Sequence, residues 1–194
     1  MSKKIIALIM AAALCGTALT ACTKSGTNTP PADDAAPAVN VTVEELHTAI
    51  KEAYGENYLP NMPIDQQMLT ELYGIEAEWV EEFVAEMPMI MTNVDTLIIV
   101  KPTEGNSENV LNALTAYYDY QNNDAMQYPM NIQKVKATQV FEKGGFVFYF
   151  TLGTLSDDVL FMEGDEAVIA QTQYDAAVEN NLIGLTAIET VLGK

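Results

Sequence analysis

Side chains that could act as nucleophiles are scarce in this 194-residue chain. His47 is the only histidine, and the serines beyond the N-terminal segment are Ser25, Ser107 and Ser156. A serine hydrolase needs a histidine base and a serine held on a sharp turn, but none of these serines lies in a Gly-x-Ser-x-Gly context. We interpret His47 as a boundary residue of a helix, and we expect no catalytic residue and no cofactor.

Carboxylates are the abundant reactive groups. One acidic run spans residues 71–86 and a second spans residues 157–166. Oxygen ligands suit a hard cation such as calcium, so the candidates for a metal site are Glu78, Glu81, Glu82, Asp157 and Asp158. Neither run has the spacing of a calcium-binding EF-hand loop, and we expect solvated acidic faces without a metal. A carboxylate-based hydrolase is the third functional alternative.

Tyrosines form a third group of interest. Tyr117, Tyr118 and Tyr120 precede Gln121 and two asparagines, and aromatic faces beside amides can stack on the sugars of a cell wall. These three tyrosines are therefore the candidates for ligand binding. The alternative is that Tyr117 and Tyr118 are half-buried helix residues and that Tyr120 lies at the surface.

Cys22 has the most specific sequence context. It follows Leu19-Thr20-Ala21, after two lysines and an uncharged apolar run over residues 5–14. This order of regions is typical of a secretion signal, and Leu-Thr-Ala-Cys resembles the lipobox of bacterial lipoproteins. We predict a lipoprotein signal peptide over residues 1–21, with lipid such as palmitate on Cys22. An uncleaved anchor over residues 5–21 and cleavage without lipid are the alternatives.

The predicted location follows from this signal. The protein would lie at the cell membrane, anchored by lipid on its extracytoplasmic side. Cys15 would be removed with the signal peptide, so the mature chain would have no disulfide and no thiolate ligand for a metal. The membrane, reached through the lipid on Cys22, and an unidentified protein or cell-envelope component are the expected partners.

The charge of the chain excludes other partners. All nine basic residues are lysine, against 27 acids, and the net charge is −18. An acidic surface repels nucleic acid and anionic lipid headgroups. Without arginine, the chain also has no planar fork for bidentate phosphate recognition. We therefore expect no nucleic-acid binding, and we interpret the acidity as a source of solubility rather than as a dedicated surface for a basic partner.

The chain is predicted to divide into three parts. After the signal peptide, residues 22–40 form a proline-rich, polar segment typical of a disordered linker. Residues 41–194 are predicted to be a single α+β domain. Thr42 and Glu45 fit a capping box at the start of a first helix that ends near Gly55. Asp65 can cap a short helix that Gly74 ends.

Strands and helices are expected to alternate in the rest of the domain. Residues 79–87 favour a strand, although a helix is possible, with Val80 and Val84 on one face and Phe83, Ala85 and Met87 on the other. Residues 96–100 are a clearer strand. A helix that begins at Asn106 or Ser107 follows, with an apolar stripe of five residues: Val110, Leu111, Leu114, Tyr117 and Tyr118.

The best local signal is a hairpin in the C-terminal half. Residues 137–141 and 146–152 flank Gly144-Gly145, a pair that tolerates the positive φ of a tight turn. Residues 159–162 are a possible short strand, residues 165–181 have a mixed pattern, and residues 182–192 favour a helix. The predicted fold is α+β: a small antiparallel sheet of about four strands, including this hairpin, packed with helices.

The segment Glu71–Met89, which reads ELYGIEAEWVEEFVAEMPM, is similar to part of a known family. Together with the lipobox and the order helix, strand, helix, hairpin, it resembles a family of small lipoproteins of Gram-positive bacteria known only as a domain of unknown function. The resemblance covers about residues 41–152, and the chain after Gly153 is longer than the family implies. It implies lipid anchoring and a small α+β domain, and it supplies no catalytic residue.

Two functions from different classes fit these features best. The first is a binding or scaffolding module at the outer face of the membrane, and the second is a small-ligand or cation-binding lipoprotein. A concave pocket with converging polar groups distinguishes them, because the second function requires one and the first does not.

Overall fold

The computed structural model describes residues 41–90 and 92–193. The predicted signal peptide, Cys22 and the linker over residues 22–40 lie outside these residues and stay predictions. Within the described ranges, no helix combines the length and apolar character needed to cross a membrane.

A five-stranded antiparallel sheet forms the centre of the fold. The strands in chain order are β1 (Met62–Pro63), β2 (Val80–Met87), β3 (Thr96–Pro102), β4 (Gln139–Lys143) and β5 (Phe146–Thr151). Their spatial order is β1-β2-β3-β5-β4. The predicted hairpin is confirmed: β4 and β5 pair from Lys143 and Phe146 onward, around Gly144 and Gly145 with φ of 63° and 83°.

Helices cover both faces of this sheet, which confirms the α+β class. They are α1 (Val43–Tyr54), α2 (Gln66–Tyr73), α3 (Ser107–Asn123), α4 (Ile132–Lys136), α5 (Asp157–Leu160) and α6 (Glu166–Leu192). The capping box of α1 is present, since the Glu45 amide donates to Thr42 and the Glu45 carboxylate accepts from the Thr42 amide. Asp65 caps α2, and Gly74 ends it in the left-handed conformation.

The core has one apolar layer on each side of the sheet. Phe146, Phe148 and Phe150 of β5 pack with α1 and α6, whereas Val147 and Tyr149 face the opposite layer, with α2 and α3. This alternation follows from the extended backbone of β5, because successive side chains of a strand point to opposite faces. Both faces of β5 are buried along its whole length.

Four details differ from the predictions. The two-proline segment over residues 57–63 favours a loop, but Met62 and Pro63 form the short edge strand β1 beside β2. Residues 159–162 are not a strand: Ser156 precedes the helical turn α5, whose first two residues are acidic, as suits a helix N-terminus. Residues 165–181 are not mixed, because α6 runs unbroken from Glu166. Val80 packs with the same layer as Phe83, since the register of β2 shifts between Val80 and Glu82.

Candidate functional site: a cleft lined by tyrosines

A concave site of about 310 Å³ opens on the side of the sheet that α2 and α3 cover. We call it the tyrosine cleft, because Tyr73, Tyr117 and Tyr149 line it. Further lining residues come from the loop after β2, from the C-terminal part of α3 and from residues 125–131 that follow it. Its volume lies at the lower end of the range of about 300–1,000 Å³ that is usual for small-molecule sites.

Three different elements bring the tyrosines together. Tyr73 is the last residue of α2, Tyr117 lies on α3 and Tyr149 lies in β5. The ring centroids of Tyr73 and Tyr117 are 4.4 Å apart, and those of Tyr117 and Tyr149 are 5.5 Å apart. The rings meet at tilted or edge-to-face angles, which the charge distribution of aromatic rings favours. The side chains therefore hold one another in place.

The hydroxyls of these tyrosines stay protonated at neutral pH. Burial raises the pKa of Tyr73, Tyr117 and Tyr149 above the ordinary tyrosine value, and the neighbouring tyrosines raise those of Tyr73 and Tyr149 further. A neutral phenol can both donate and accept a hydrogen bond. The cleft is therefore lined by neutral hydroxyls, which are poor bases at neutral pH.

Side-chain amides form the adjoining wall. The Gln127 amide nitrogen donates to the side-chain oxygen of Gln121 at 2.7 Å and to its backbone carbonyl at 3.2 Å. The Asn131 amide donates to the Thr92 carbonyl at 2.9 Å. These bonds tie the chain after α3 to the helix end and to the loop before β3. The wall thus presents amide groups from fixed positions.

The rim of the cleft is exposed and apolar. Met126 is 99% exposed and Tyr128 is 53% exposed, and both line the cleft. Among the described residues that line the cleft, none carries a formal charge.

The structure separates the three predicted tyrosines. Tyr117 lines the cleft, but Tyr118 does not: its hydroxyl donates to the Lys136 carbonyl at 3.3 Å. Tyr120 is 54% exposed and lies outside the lining. Sequence reasoning did not find Tyr73 and Tyr149. Alternation along β5 placed Tyr149 opposite the phenylalanines, but only the pairing of β5 with β3 brings it beside α3.

A polar cluster ties α1 to β2 on the other side of the sheet. His47 is 7% exposed, and its Nε2 lies 3.0 Å from Oε2 of Glu86. The Tyr58 hydroxyl donates to the same oxygen at 2.7 Å, and Lys51 Nζ lies 3.8 Å from it. His47 lies at the boundary of α1 with the sheet, but Glu86 is its partner and is not one of the solvated acids that the acidic run predicts.

These partners set the ionisation of Glu86. Burial acts to raise the pKa of its carboxyl, but the hydrogen bonds with Tyr58 and His47 and the charges of His47 and Lys51 outweigh burial, so the net pKa is lowered. His47, Tyr58 and Lys51 all contact the Glu86 carboxylate, so the polar groups of the cluster are paired with one another. We interpret it as a structural link between α1 and the sheet.

A buried ion pair forms a second structural link. Lys134 of α4 donates to Oδ2 of Asp95, whose side chain is fully buried just before β3. Burial raises the pKa of Asp95, and the charge of Lys134 opposes that rise. Breaking such a pair on one side leaves an uncompensated buried charge, which is strongly destabilising. The pair therefore fixes α4, and with it the neighbouring chain around Asn131.

The acidic candidates do not assemble. Among the residues that the structure describes, no group of three or more histidine, cysteine, aspartate and glutamate side chains is placed to hold a metal ion. That result covers the predicted candidates Glu78, Glu81, Glu82, Asp157 and Asp158. Glu81 is paired with Lys101 at 2.7 Å, and the two aspartates lie in the first turn of α5.

Comparison with known proteins identifies a family. The family model DUF4358, described as a domain of unknown function, matches residues 53–152, which is just over half of the chain. The chain therefore belongs to this family. No curated protein and no solved structure gives a significant match. The match includes Tyr73, Tyr117 and Tyr149 of the cleft and ends before α5 and α6.

Proposed function

We propose that this protein is an extracytoplasmic lipoprotein, held at the membrane by lipid on Cys22, whose domain binds a small uncharged polar ligand in the tyrosine cleft. The observation that carries the binding role is the combination of tyrosine rings, amides and hydroxyls in a lining without formal charge. The anchoring rests on the Leu19–Cys22 signal in the sequence.

The lining favours a ligand of sugar-like chemistry. A sugar ring presents C–H groups that can lie against an aromatic face and hydroxyls that can bond with amides and phenols. Tyr117, Gln121 and Asn131 offer these groups together. A charged ligand would lose hydration without gaining an ionic partner, and that transfer is unfavourable. The uncharged lining therefore favours neutral ligands over charged ones.

Binding is proposed in preference to catalysis. The described lining residues include no carboxylate, histidine, cysteine, serine or lysine. The raised pKa of Tyr73, Tyr117 and Tyr149 makes them poor general bases at neutral pH. A binding or scaffolding module at the outer face of the membrane, the first function that the sequence predicts, does not need such a cleft.

Calorimetric titration with four matched sugars tests this function. Glucose and N-acetylglucosamine are neutral, glucuronate adds a negative charge and glucosamine adds a positive charge to the same ring. We expect at least one neutral sugar to bind more tightly than both charged ones. Tyr117→Phe removes one hydroxyl and should weaken that binding about five- to tenfold. Tyr120→Phe is the matched control, because Tyr120 lies outside the lining.

The same titration can contradict the proposal. Equal binding of charged and neutral sugars would remove the argument from the uncharged lining. Equal losses in Tyr117→Phe and Tyr120→Phe would place the binding site away from the cleft.

A further inference from the structure

A second concave surface lies between α1 and α6, in contact with the layer that contains Phe148 rather than with the layer of the tyrosine cleft. This α1–α6 groove has a volume of about 730 Å³. Its apolar floor is formed by Ala49, Ala53, Leu182, Ile183, Ala187 and Val191. The proposed ligand-binding role does not use this surface.

The sequence of α6 explains why the groove is apolar. Ile188 and Leu192 face the core, whereas Leu182 and Ile183 of the same helix are 50% and 40% exposed. A globular helix normally has one apolar stripe and a polar opposite face, and a helix that is apolar on more than one side is normally covered. The outer side of α6 therefore has the composition of a contact surface.

The sequence of α1 explains the depth of the groove. Ala49 and Ala53 are four residues apart, so they lie one above the other on one side of the helix. Their short side chains leave a channel beside the larger Leu182 and Ile183 of α6. Such a channel suits an amphipathic helix, which inserts residues spaced three and four apart into an apolar groove.

The rim of the groove is acidic. Glu52 of α1 and Glu179 of α6 line its edges, and both side chains are exposed. Glu44 and Glu45 line an adjoining hollow that shares Ala49 and Glu52. Among the described residues that line the groove, none is basic. An apolar floor between negative edges complements an apolar stripe between positive edges.

We infer that the α1–α6 groove docks a cationic amphipathic helix of a partner protein. The partner's apolar stripe lies on Ala49, Ala53 and Ile183, and its flanking lysines or arginines lie near Glu52 and Glu179. A second copy of this chain would bring the same acidic rim against itself, in a chain of net charge −18. Charge complementarity thus selects a basic partner over self-association.

Two synthetic peptides test the inference directly. Both are amphipathic helices with the same leucine stripe, one with lysine on its flanks and the other with glutamate at the same positions. The lysine peptide is expected to bind the full-length mature protein, with an affinity that falls as sodium chloride increases, because salt screens the rim. The glutamate peptide is expected to bind at least about tenfold more weakly.

Variants of exposed residues locate the binding. Glu52→Lys with Glu179→Lys should weaken the lysine peptide about tenfold or more. Glu104→Lys with Glu108→Lys is the matched control, because it makes the same change in net charge at exposed residues outside the groove and should leave the affinity unchanged. Ile183→Asp should also weaken binding. Circular dichroism melting checks that each variant is folded.

Three outcomes would overturn the inference. Equal binding of the two peptides would mean that the groove has no charge preference. Equal losses in the two double variants would mean that only net charge matters. A concentration-dependent dimer in sedimentation, abolished by Ile183→Asp, would show that a second copy covers the groove. None of these outcomes bears on sugar binding in the tyrosine cleft.

Discussion

The partners of Glu86, rather than its neighbours in sequence, determine how it ionises. It belongs to an acidic run whose other members were expected to be solvated, yet its Oε2 accepts from Tyr58 and lies 3.0 Å from His47 Nε2. Hydrogen bonds to a charged carboxylate are worth about 1.5–3 kcal/mol each. Glu86 therefore joins α1 to β2 by a contact that depends on pH.

We predict that Glu86→Gln lowers the free energy of unfolding near pH 7, by about 1.5–3 kcal/mol. The folded-state pKa of Glu86 is lowered from its ordinary value of 4.5, so its contribution is present above that value and is lost as the pH falls through the lowered pKa. The difference between native protein and variant should therefore shrink below about pH 4.5. Urea unfolding at several pH values measures it.

Glu76→Gln serves as the control for this pH series, because Glu76 is exposed. It should leave the free energy of unfolding nearly unchanged at every pH. A difference between native protein and Glu86→Gln that persists undiminished at low pH would contradict the ionic account of the cluster.

At the scale of elements, α6 is the helix whose docking depends on one small residue. Gly184 lies where α6 meets α1 and β5, and its backbone amide donates to the Tyr54 hydroxyl at 3.2 Å. A Cβ atom at Gly184 would lie 3.1 Å from that hydroxyl and 3.2 Å from the Phe150 ring. Both neighbours are buried, so they have little room to move.

We predict that Gly184→Ala destabilises the protein by about 1–3 kcal/mol through overpacking. In an exposed helix the same change would stabilise by about 1 kcal/mol, because alanine favours the helix more than glycine. The sign of the change in the free energy of unfolding, measured by urea unfolding, therefore tests whether Gly184 is tightly packed. Gln171→Ala, at an exposed position of α6, is the control and should have little effect. A more stable Gly184→Ala protein would contradict the docking described here.

Elements with strong local signals could be predicted from the sequence. The start of α1, the cap of α2 and the hairpin around Gly144-Gly145 depend on residues close together in the chain, and all three are confirmed. The position of β2 in the chain could be predicted, but the face on which each of its side chains lies could not. The register shift between Val80 and Glu82 moves Val80 to the face opposite to the predicted one.

Elements stabilised by distant contacts could not be predicted. The first half of α6 packs through Ala177 against Leu155 and Ala137. Its second half packs through Ile188 on the layer that contains Phe148. No single apolar stripe runs along the helix, so residues 165–181 gave no clear period. The tyrosine cleft has the same origin, because Tyr73 and Tyr149 meet Tyr117 only through the arrangement of α2, α3 and β5.

At the scale of the whole molecule, the distribution of charge is uneven. The chain has a net charge of −18, yet the described lining of the tyrosine cleft carries no formal charge. The acidic surface keeps proteins apart in solution. The uncharged cleft leaves a ligand to be recognised by shape, ring faces and hydrogen bonds.

The proposed anchor leads to a prediction for the intact protein. Cys22→Ala should prevent lipidation, so that the protein appears as unprocessed precursor or in the medium instead of as a processed membrane protein. Cell fractionation followed by mass spectrometry of the N-terminal peptide measures this. Cys15→Ala is the control, because Cys15 lies within the predicted signal peptide and should not affect the anchor. A processed, membrane-bound Cys22→Ala protein would contradict the lipid anchor.

Mapping a bound sugar onto the protein tests the central claim most directly. The measurement is the change in backbone amide NMR shifts of the ¹⁵N-labelled soluble chain, from residue 23 onward, on titration with the neutral sugar that binds most tightly. We predict that the largest changes fall on residues that line the cleft, such as Tyr117, Gln121 and Gln127, and that glucuronate changes them far less. Largest changes near His47 or in the α1–α6 groove, with the cleft unaffected, would contradict the assignment.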